Sequence, residues 1–559
     1  MASGSPVSGG QQLRGAIDSG ETDDILGRIY DRSILKRVFA FMADMKWHLV
    51  IGAFGILLRT AANLVTPLVV AMATNRIIEG NFDGLTIASL LYLGILLLTW
   101  VAQYLETLHL SYTAQGILMK MRVTMFSHLH DCSMSFFDRN KIGKIMSRVQ
   151  NDVDQLQMLV SQDFIMVAVN LVTLIGIIAI MVSLNWQLAL LSMATLPVLV
   201  IIVVIWQQHA RKAFVLARRA IAMVNDNLQE SISGVRVTQN LSRENRNVKN
   251  FDEVNKANLE ANKKAALLQG MIMPLTQILT DGSYVIVLIF GGFQVLDGTM
   301  PVGFLLAFLL YIQRVAQPVQ QLATMYTEIQ RAMASGSRIF ELIDVKPEIE
   351  DAPHARTMQK AGGTIEFRNV SFGYDPAVEI LHDINLKIGK GETVAVVGRT
   401  GAGKSSIAGL ICRFYEINRG EILLDGVNIT AVTQESLRQQ IGFVPQDPFL
   451  FSGTIEDNIR DGKLDASREE INAAARATGS HDIISHMENA YETSVGERGT
   501  TLSPGQRQLI CLTRAILADP PVLILDEATS NIDTATERII QKSLEKITKG
   551  RSEEHTSEL

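Results

Sequence analysis

The sequence predicts a six-helix transmembrane α bundle joined by a short linker to an α/β domain. Long charge-free apolar runs crowd the first 330 residues, and short β-type runs separated by turns begin near Thr364. A glycine-rich stretch, "VAVVGRTGAGKSS", follows one of those runs. A chain of 559 residues exceeds a single core, and length alone implies about three or four domains, a count that membrane segments lower.

The run "FIMVAVNLVTLIGIIAIMVSL" holds 21 residues without a charge. At about 1.5 Å per residue it crosses a hydrocarbon core of about 30 Å, and a buried core helix rarely stays uncharged for so long. The same test finds spans near residues 49–75, 86–105, 187–206, 268–296 and 303–325, giving six. Trp186 and Trp206 bracket the fourth at the separation of an aromatic belt, and Trp47 and Trp100 stand near other span ends. Residues 106–163 carry six Lys or Arg and residues 207–267 carry eleven, whereas "LDGTMP" has none and the first hairpin only Arg76. The basic connections are therefore expected in the cytoplasm, and with six spans both termini lie there too. The spanning helices are expected to continue well beyond the membrane as stalks.

Residues 1–30 are Gly- and Ser-rich without an apolar core of a signal peptide and are expected to be disordered. "ILKRVFAFMADMKW" reads as an amphipathic surface helix. The membrane bundle is placed at residues 31–330, a linker at 331–361 and the α/β domain at 362–551. Cys132, Cys412 and Cys511 form no CxxC pair, which indicates ordinary thiols rather than a metal site or disulfide framework. Within the last domain "GTIEFRNVSFGY", "LKIGKGETVAVVG", "IGFVPQ" and "PPVLILDEA" read as strands.

Gly398, Gly401, Gly403, Lys404 and Ser405 fit the spacing G-x-x-x-x-G-K-[ST]. Side chains are absent where backbone N–H groups must wrap phosphate oxygens. Lys404 can reach the β and γ phosphates of a nucleotide, and the Ser405 hydroxyl can ligate Mg²⁺. Four apolar residues, Val522–Leu525, deliver Asp526 to a strand end, where its carboxylate can hold Mg²⁺ through water. Glu527 beside it is the natural general base for an attacking water. Without the P-loop, Glu527 would read as an ordinary helix-start carboxylate.

The block "TLSPGQRQLICLTRAIL" resembles the signature of ATP-binding cassette (ABC) transporters. The order of the other motifs is similar: Tyr374, the P-loop, Gln446 in "FVPQDPFLF", Glu497 in "TSVGERG", then Asp526, Glu527 and "SNID". "SFFDRNKIGKIMSRVQNDVDQL" and "ESISGVRVTQNLSRENRNVKNF" resemble the two cytoplasmic coupling segments of the exporter type, so the likeness covers about residues 33–550. The resemblance implies that Tyr374 stacks on adenine and that Thr400 and Ser406 join the P-loop residues at the nucleotide. Gln446 serves catalysis and Mg²⁺, and Ser503, Gly505 and Gln506 form a signature loop that meets the ATP of a second subunit. A chain with one ATPase and six spans is then a half-transporter that must pair, as a homodimer or heterodimer, with ATP and Mg²⁺ as cofactors.

Two departures stand out. Pro504 replaces a glycine usual in the signature and lacks an N–H for phosphate, while Ser503 and the Gly505 amide remain available. Asn531 and Ile532 replace a small residue and Leu before Asp533. The implied function is ATP-driven export of a hydrophobic or amphipathic drug or lipid across the inner or plasma membrane, with the ATPase cytoplasmic and no nucleic acid among the partners. The alternative is an ABC-type regulator or channel. Spans preceding the ATPase in one chain disfavour an importer, and six spans exclude a soluble ATPase. Arg59, Asp281 and Arg314 fall in or near spans, where ionisable residues either contact substrate or are paired within the protein.

The last residues, "RSEEHTSEL", have no strand pattern where the family has a buried strand ending in a switch histidine, so His555 is not expected to be that residue. They can be encoded by the opening bases of a common sequencing-library adapter. The natural sequence is expected to break off at Gly550 or Arg551, with 552–559 an artefact, and a chain so ended is expected to bind ATP poorly at best and not to sustain transport.

Overall fold

The computed structural model describes residues 32–159, 161, 164–375, 378–399, 401–526 and 537–545. They divide into two compact units, one reaching His130 and resuming at Gly143–Val345, the other comprising Asp131–Ile142 and the residues from Lys346 onward.

The first unit is helical. A surface helix α1 (Arg32–Met42) precedes α2 (Lys46–Ile78) and α3 (Phe82–Asp131), and among the described residues six helices are long and apolar enough to cross a membrane. At 50 residues α3 is about 75 Å long, more than twice the hydrocarbon thickness, as expected of a stalk. The third span is α5 (Phe164–Leu184), numbered after the short α4 (Met134–Arg139) of the second unit. The fourth is broken: α6 (Trp186–Met193) is capped by Asn185, whose Oδ1 accepts from the Leu188 amide at 3.0 Å, and α7 (Thr195–Ser233) restarts after Ala194. Pro197 sits in the first turn of α7, where its missing N–H costs nothing. The fifth and sixth spans belong to α8 (Glu244–Ile286), continued by a π turn and a short helix to Leu296, and α9 (Val302–Ile343). Helix α9 runs on into the charged stretch read from sequence as the start of the linker, because "SGSRIFELI" keeps a buried face: Ile339, Phe340 and Leu342 are all buried.

Small residues set the closest crossings. A Cβ on Gly303 would lie 2.1 Å from the Ala71 carbonyl oxygen, and the Gly303 amide donates to Asn75 Oδ1 at 2.8 Å, so α9 begins directly against α2. Pro67 inside α2 removes the amide that the Asn63 carbonyl would otherwise accept from. Helix α9 supplies donors there: Arg314 Nη1 bonds the Asn63 oxygen, and the buried Tyr311 hydroxyl donates to the Leu64 oxygen at 2.6 Å. Alanines 217, 220, 261 and 265 let α7 and α8 run side by side.

The second unit has an antiparallel sheet in the order β2-β1-β3-β4, with β1 Ile365–Phe372, β2 Leu381–Ile388, β3 Arg419–Leu424 and β4 Val427–Asn428. Ile365 and Phe367 point into the core while Glu366 and Arg368 lie outside, where Arg368 pairs with Glu366 and Glu421. Under this sheet packs α10 (Lys404–Ile411). A parallel pair joins β5 (Ile441–Val444) to β8 (Val522–Leu525), with Ile441 opposite Val522 and Val444 opposite Leu525, and between them in the chain the short β6 (Gly453–Thr454) and β7 (Ser494–Val495) pair antiparallel. A helical core surrounds α11 (Pro504–Leu517).

One expectation is corrected. The apolar stretch 392–398 before the P-loop, read from sequence as a strand, forms no ladder, and Val394, Val396 and Val397 are exposed. Strand propensity needs a neighbour to satisfy the backbone, and among the described residues β8 pairs only with β5, leaving 392–398 without one.

Candidate functional site

The P-loop turns into α10 through two left-handed glycines, Gly401 at φ +85° and Gly403 at φ +87°. A Cβ on Gly403 would also lie 2.6 Å from Leu381 Cδ2, so both conformation and space require glycine here. Gly398 opens the loop, and the Lys404 ammonium folds back to donate to the Gly398 and Arg399 carbonyls at 3.0 and 3.2 Å. The Ser405 hydroxyl donates to Asp526 Oδ1 at 3.1 Å. These two oxygens come from positions 121 apart, brought together because α10 starts where β8 ends. Asp526 continues the β8 ladder through its amide to the Val444 carbonyl at 3.0 Å. Gln446 lies two residues beyond β5, so it shares with Asp526 the carboxyl end of the parallel pair, the usual place for ligands in such sheets.

The Tyr374 ring is 44% exposed and its hydroxyl lies 3.0 Å from Ser406 Oγ. It stands edge to face with Phe372 and with Tyr415, both at 5.0 Å between centroids. The expected nucleotide residues Tyr374, Gly398, Gly401, Gly403, Lys404, Ser405, Ser406 and Asp526 thus gather around one loop. Thr400 and Glu527 lie outside the described residues, as do Asn531, Ile532, Asp533 and His555.

Ser503 caps α11. Its Oγ accepts from the Gln506 amide at 3.3 Å, and Gln506 Oε1 accepts from the Ser503 amide at 2.9 Å, a reciprocal capping box. Pro504 occupies the first helical position, where the N–H would have no intrahelical acceptor, which explains why the helix tolerates it. The cap engages a lone pair of Ser503, so its O–H remains free to donate, and with the Gln506 amide used the next amide is that of Gly505.

The spanning ionisable residues have partners within the protein. Arg59 pairs with Glu106 in two bonds of 2.6 and 2.9 Å, Asp281 accepts from Gln277 at 2.9 Å, and Arg314 serves the Asn63 carbonyl. Structural pairing is therefore the reading their geometry favours over substrate contact.

Of the two expected coupling segments, the one around Phe137 belongs to the second unit. There α4 is held by Tyr415, whose hydroxyl donates to Asp138 Oδ2 at 2.7 Å, and by Glu348, which accepts from Ser135 and from Arg139 Nη1 at 3.0 Å. The one around Val235 remains in the first unit with Val235 and Val237 exposed. Sequence reasoning did not single out Tyr415 or Glu348; neither lies in a motif, and both gain their place only through the fold.

Comparison with known proteins identifies the family. Residues 49–319 match the ABC transporter transmembrane region and residues 381–530 the ABC transporter family. The chain is 35% identical to the ABC transporter ATP-binding protein YfiC of Bacillus subtilis, over 93% of its own length and 86% of the relative's. It is 36% identical to a fatty acid ABC transporter ATP-binding/permease protein of Mycobacterium bovis, covering 84% and 73%. An ATP-dependent lipid A-core flippase of Desulfotalea psychrophila is 34% identical, covering 93% and 91%. With a spanning region of six apolar helices ahead of an ATP-binding domain in one chain, the protein belongs to the ABC transporters as an exporter-type, ATP-hydrolysing half-transporter integral to the membrane.

Proposed function

We propose that this chain exports an amphipathic, lipid-like molecule from the cytoplasmic side of the cell membrane, as one half of a dimer driven by ATP. The observation that carries the ATP reading is the Ser405–Asp526 contact at the mouth of the P-loop. One hydroxyl and one carboxylate, both hard oxygen donors, match the way Mg²⁺ is held by few protein ligands beside phosphate. When bound there, Mg²⁺ would neutralise charge on the β and γ phosphates.

The chain's own groups supply the rest. Lys404 exchanges its two carbonyl partners for phosphate oxygens, the glycine amides wrap the phosphates, and Tyr374 stacks the base. Gln446 and Glu527 orient and deprotonate the attacking water. Ser503 and Gly505 of each copy present an O–H and an amide to the nucleotide of the other, so closure of two ATPase domains is favoured by ATP and reset by its hydrolysis. The lipid-type relatives and the apolar spans support an amphipathic substrate. The test is reconstitution of a complete protein in lipid vesicles: vectorial uptake of an NBD-labelled fatty acid together with stimulation of ATP hydrolysis supports export. Hydrolysis that neither the probe nor any lipid stimulates, with no uptake, refutes it.

A further inference from the structure

Tyr415 lies outside every sequence motif yet touches three functional parts. Its ring meets Tyr374 at 88°, edge to face, with centroids 5.0 Å apart. Its Cε2 would lie 3.3 Å from a Cβ on Gly409, so it rests against the helix that the P-loop starts. Its hydroxyl donates to Asp138 in α4 at 2.7 Å. Burial, and then the Asp138 carboxylate, push the Tyr415 phenol above its ordinary value, so it stays a protonated donor at any physiological pH. The residues joined by that hydrogen bond are 277 positions apart in the chain.

Tyr374 is restrained by T-shaped contacts with Phe372 and Tyr415 and by its hydroxyl, which sits on Ser406 next to Ser405 of the P-loop, while 44% of its surface stays exposed. A base stacking on that exposed surface gains about 1–3 kcal/mol, and a purine covers more of it than a pyrimidine. Any resulting tilt of Tyr374 must be taken up by Tyr415, because edge-to-face rings at van der Waals distance cannot move independently. Tyr415 is in turn tied to Asp138. Glu348, the other holder of α4, bonds Ser135 and Arg139 and touches no part of the nucleotide loop in these contacts.

We propose that Tyr415 is a positioning residue linking base recognition at Tyr374 to the coupling segment Asp131–Ile142, so that a triphosphate must carry a stacked purine to engage that segment. This rests on the assignment of Tyr374 and the P-loop to the nucleotide. Phosphate binding and hydrolysis depend on Lys404, Ser405 and Asp526, none of which the link includes; a pyrimidine triphosphate is therefore hydrolysed without moving α4.

The experiment measures amide hydrogen exchange in peptides covering Asp131–Ile142 of a complete protein in lipid vesicles, with saturating ATP, UTP or neither, alongside binding of the fluorescent analogue TNP-ATP. The expected result is an exchange rate changed at least about threefold by ATP and unchanged by UTP, although both are bound and hydrolysed. Tyr415→Phe, which keeps the ring and loses the hydroxyl, and Asp138→Asn are each expected to abolish the ATP effect while leaving basal hydrolysis within about twofold. Equal effects of ATP and UTP overturn the proposal, as does an intact ATP effect in both variants. Absence of TNP-ATP binding by the parent overturns the nucleotide-site reading instead, so the two failures are distinct.

Discussion

Replacing Glu106 by Gln leaves the Arg59 guanidinium among apolar helices with no counter-charge. In the parent, two bonds of 2.6 and 2.9 Å join the pair, with the side chains 32% and 17% exposed. Breaking a buried pair from one side costs about 3–5 kcal/mol, and the partial exposure of Arg59, whose long stem lets it reach a more polar level, lowers this to about 2 kcal/mol. That is about a thirtyfold loss in the ratio of folded to unfolded protein. Arg59→Met should cost less, because a stranded carboxyl can take up a proton whereas a guanidinium cannot lose one. The double variant Arg59→Met/Glu106→Leu should recover to within about 1 kcal/mol of the parent. Detergent-induced unfolding followed by tryptophan fluorescence suits the measurement, since all four tryptophans, at 47, 100, 186 and 206, lie in the membrane unit. If Glu106→Gln and Arg59→Met are both as stable as the parent while Arg59→Met alone stops transport, Arg59 reads substrate and the pairing argument is wrong.

In a complete protein, Glu527→Gln should retain ATP binding and accumulate a closed dimer with turnover reduced at least about a hundredfold, whereas Lys404→Ala should weaken TNP-ATP binding itself; near-normal turnover by Glu527→Gln would falsify its role as base. Cysteines placed at Ser405 and Ser503, with Cys132, Cys412 and Cys511 replaced, should crosslink between copies when ATP is bound, and a crosslink confined to one chain denies the shared site. Asp425 accepts from the amides of Gly362, Gly363 and Thr364. Burial pushes its carboxyl up, but those amides outweigh burial and hold it below the ordinary carboxylate value. The anchoring is thus fully present above about pH 4 and is lost as pH falls through the depressed value. Protection of the 362–364 amides, taken as the exchange rate relative to the intrinsic rate at each pH, should be lost only below about pH 4 in the parent and be weak throughout in Asp425→Asn; identical profiles contradict the assignment.

What the sequence revealed followed from how local each signal is. A charge-free run such as Phe164–Leu184 declares a span by itself, and the P-loop glycines sit within six positions, so their left-handed turns were legible in the motif. The break at Ala194 was not, because "LSMATLPVL" stays apolar through it and hydropathy registers no change. Arg59 stayed ambiguous because its partner lies 47 positions away, one residue past the expected end of the second span. The stretch 392–398 had the composition of a strand, but composition specifies no neighbour. Tyr415 and Asp138 are each ordinary in their own surroundings, and only the folded second unit makes them a pair.

The proline at position 67 has a wider meaning for how the bundle is held. A helix bent at a proline exposes a carbonyl that some donor must reach, and in this protein the donor comes from the sixth span. Asn63 and Leu64 are adjacent, and the two donors that reach them, Tyr311 and Arg314, stand three positions apart on α9, so the first and sixth spans are latched at a single level. A residue at position 67 that restored the amide would give the Asn63 oxygen a partner within its own helix and leave the Arg314 guanidinium to find another acceptor.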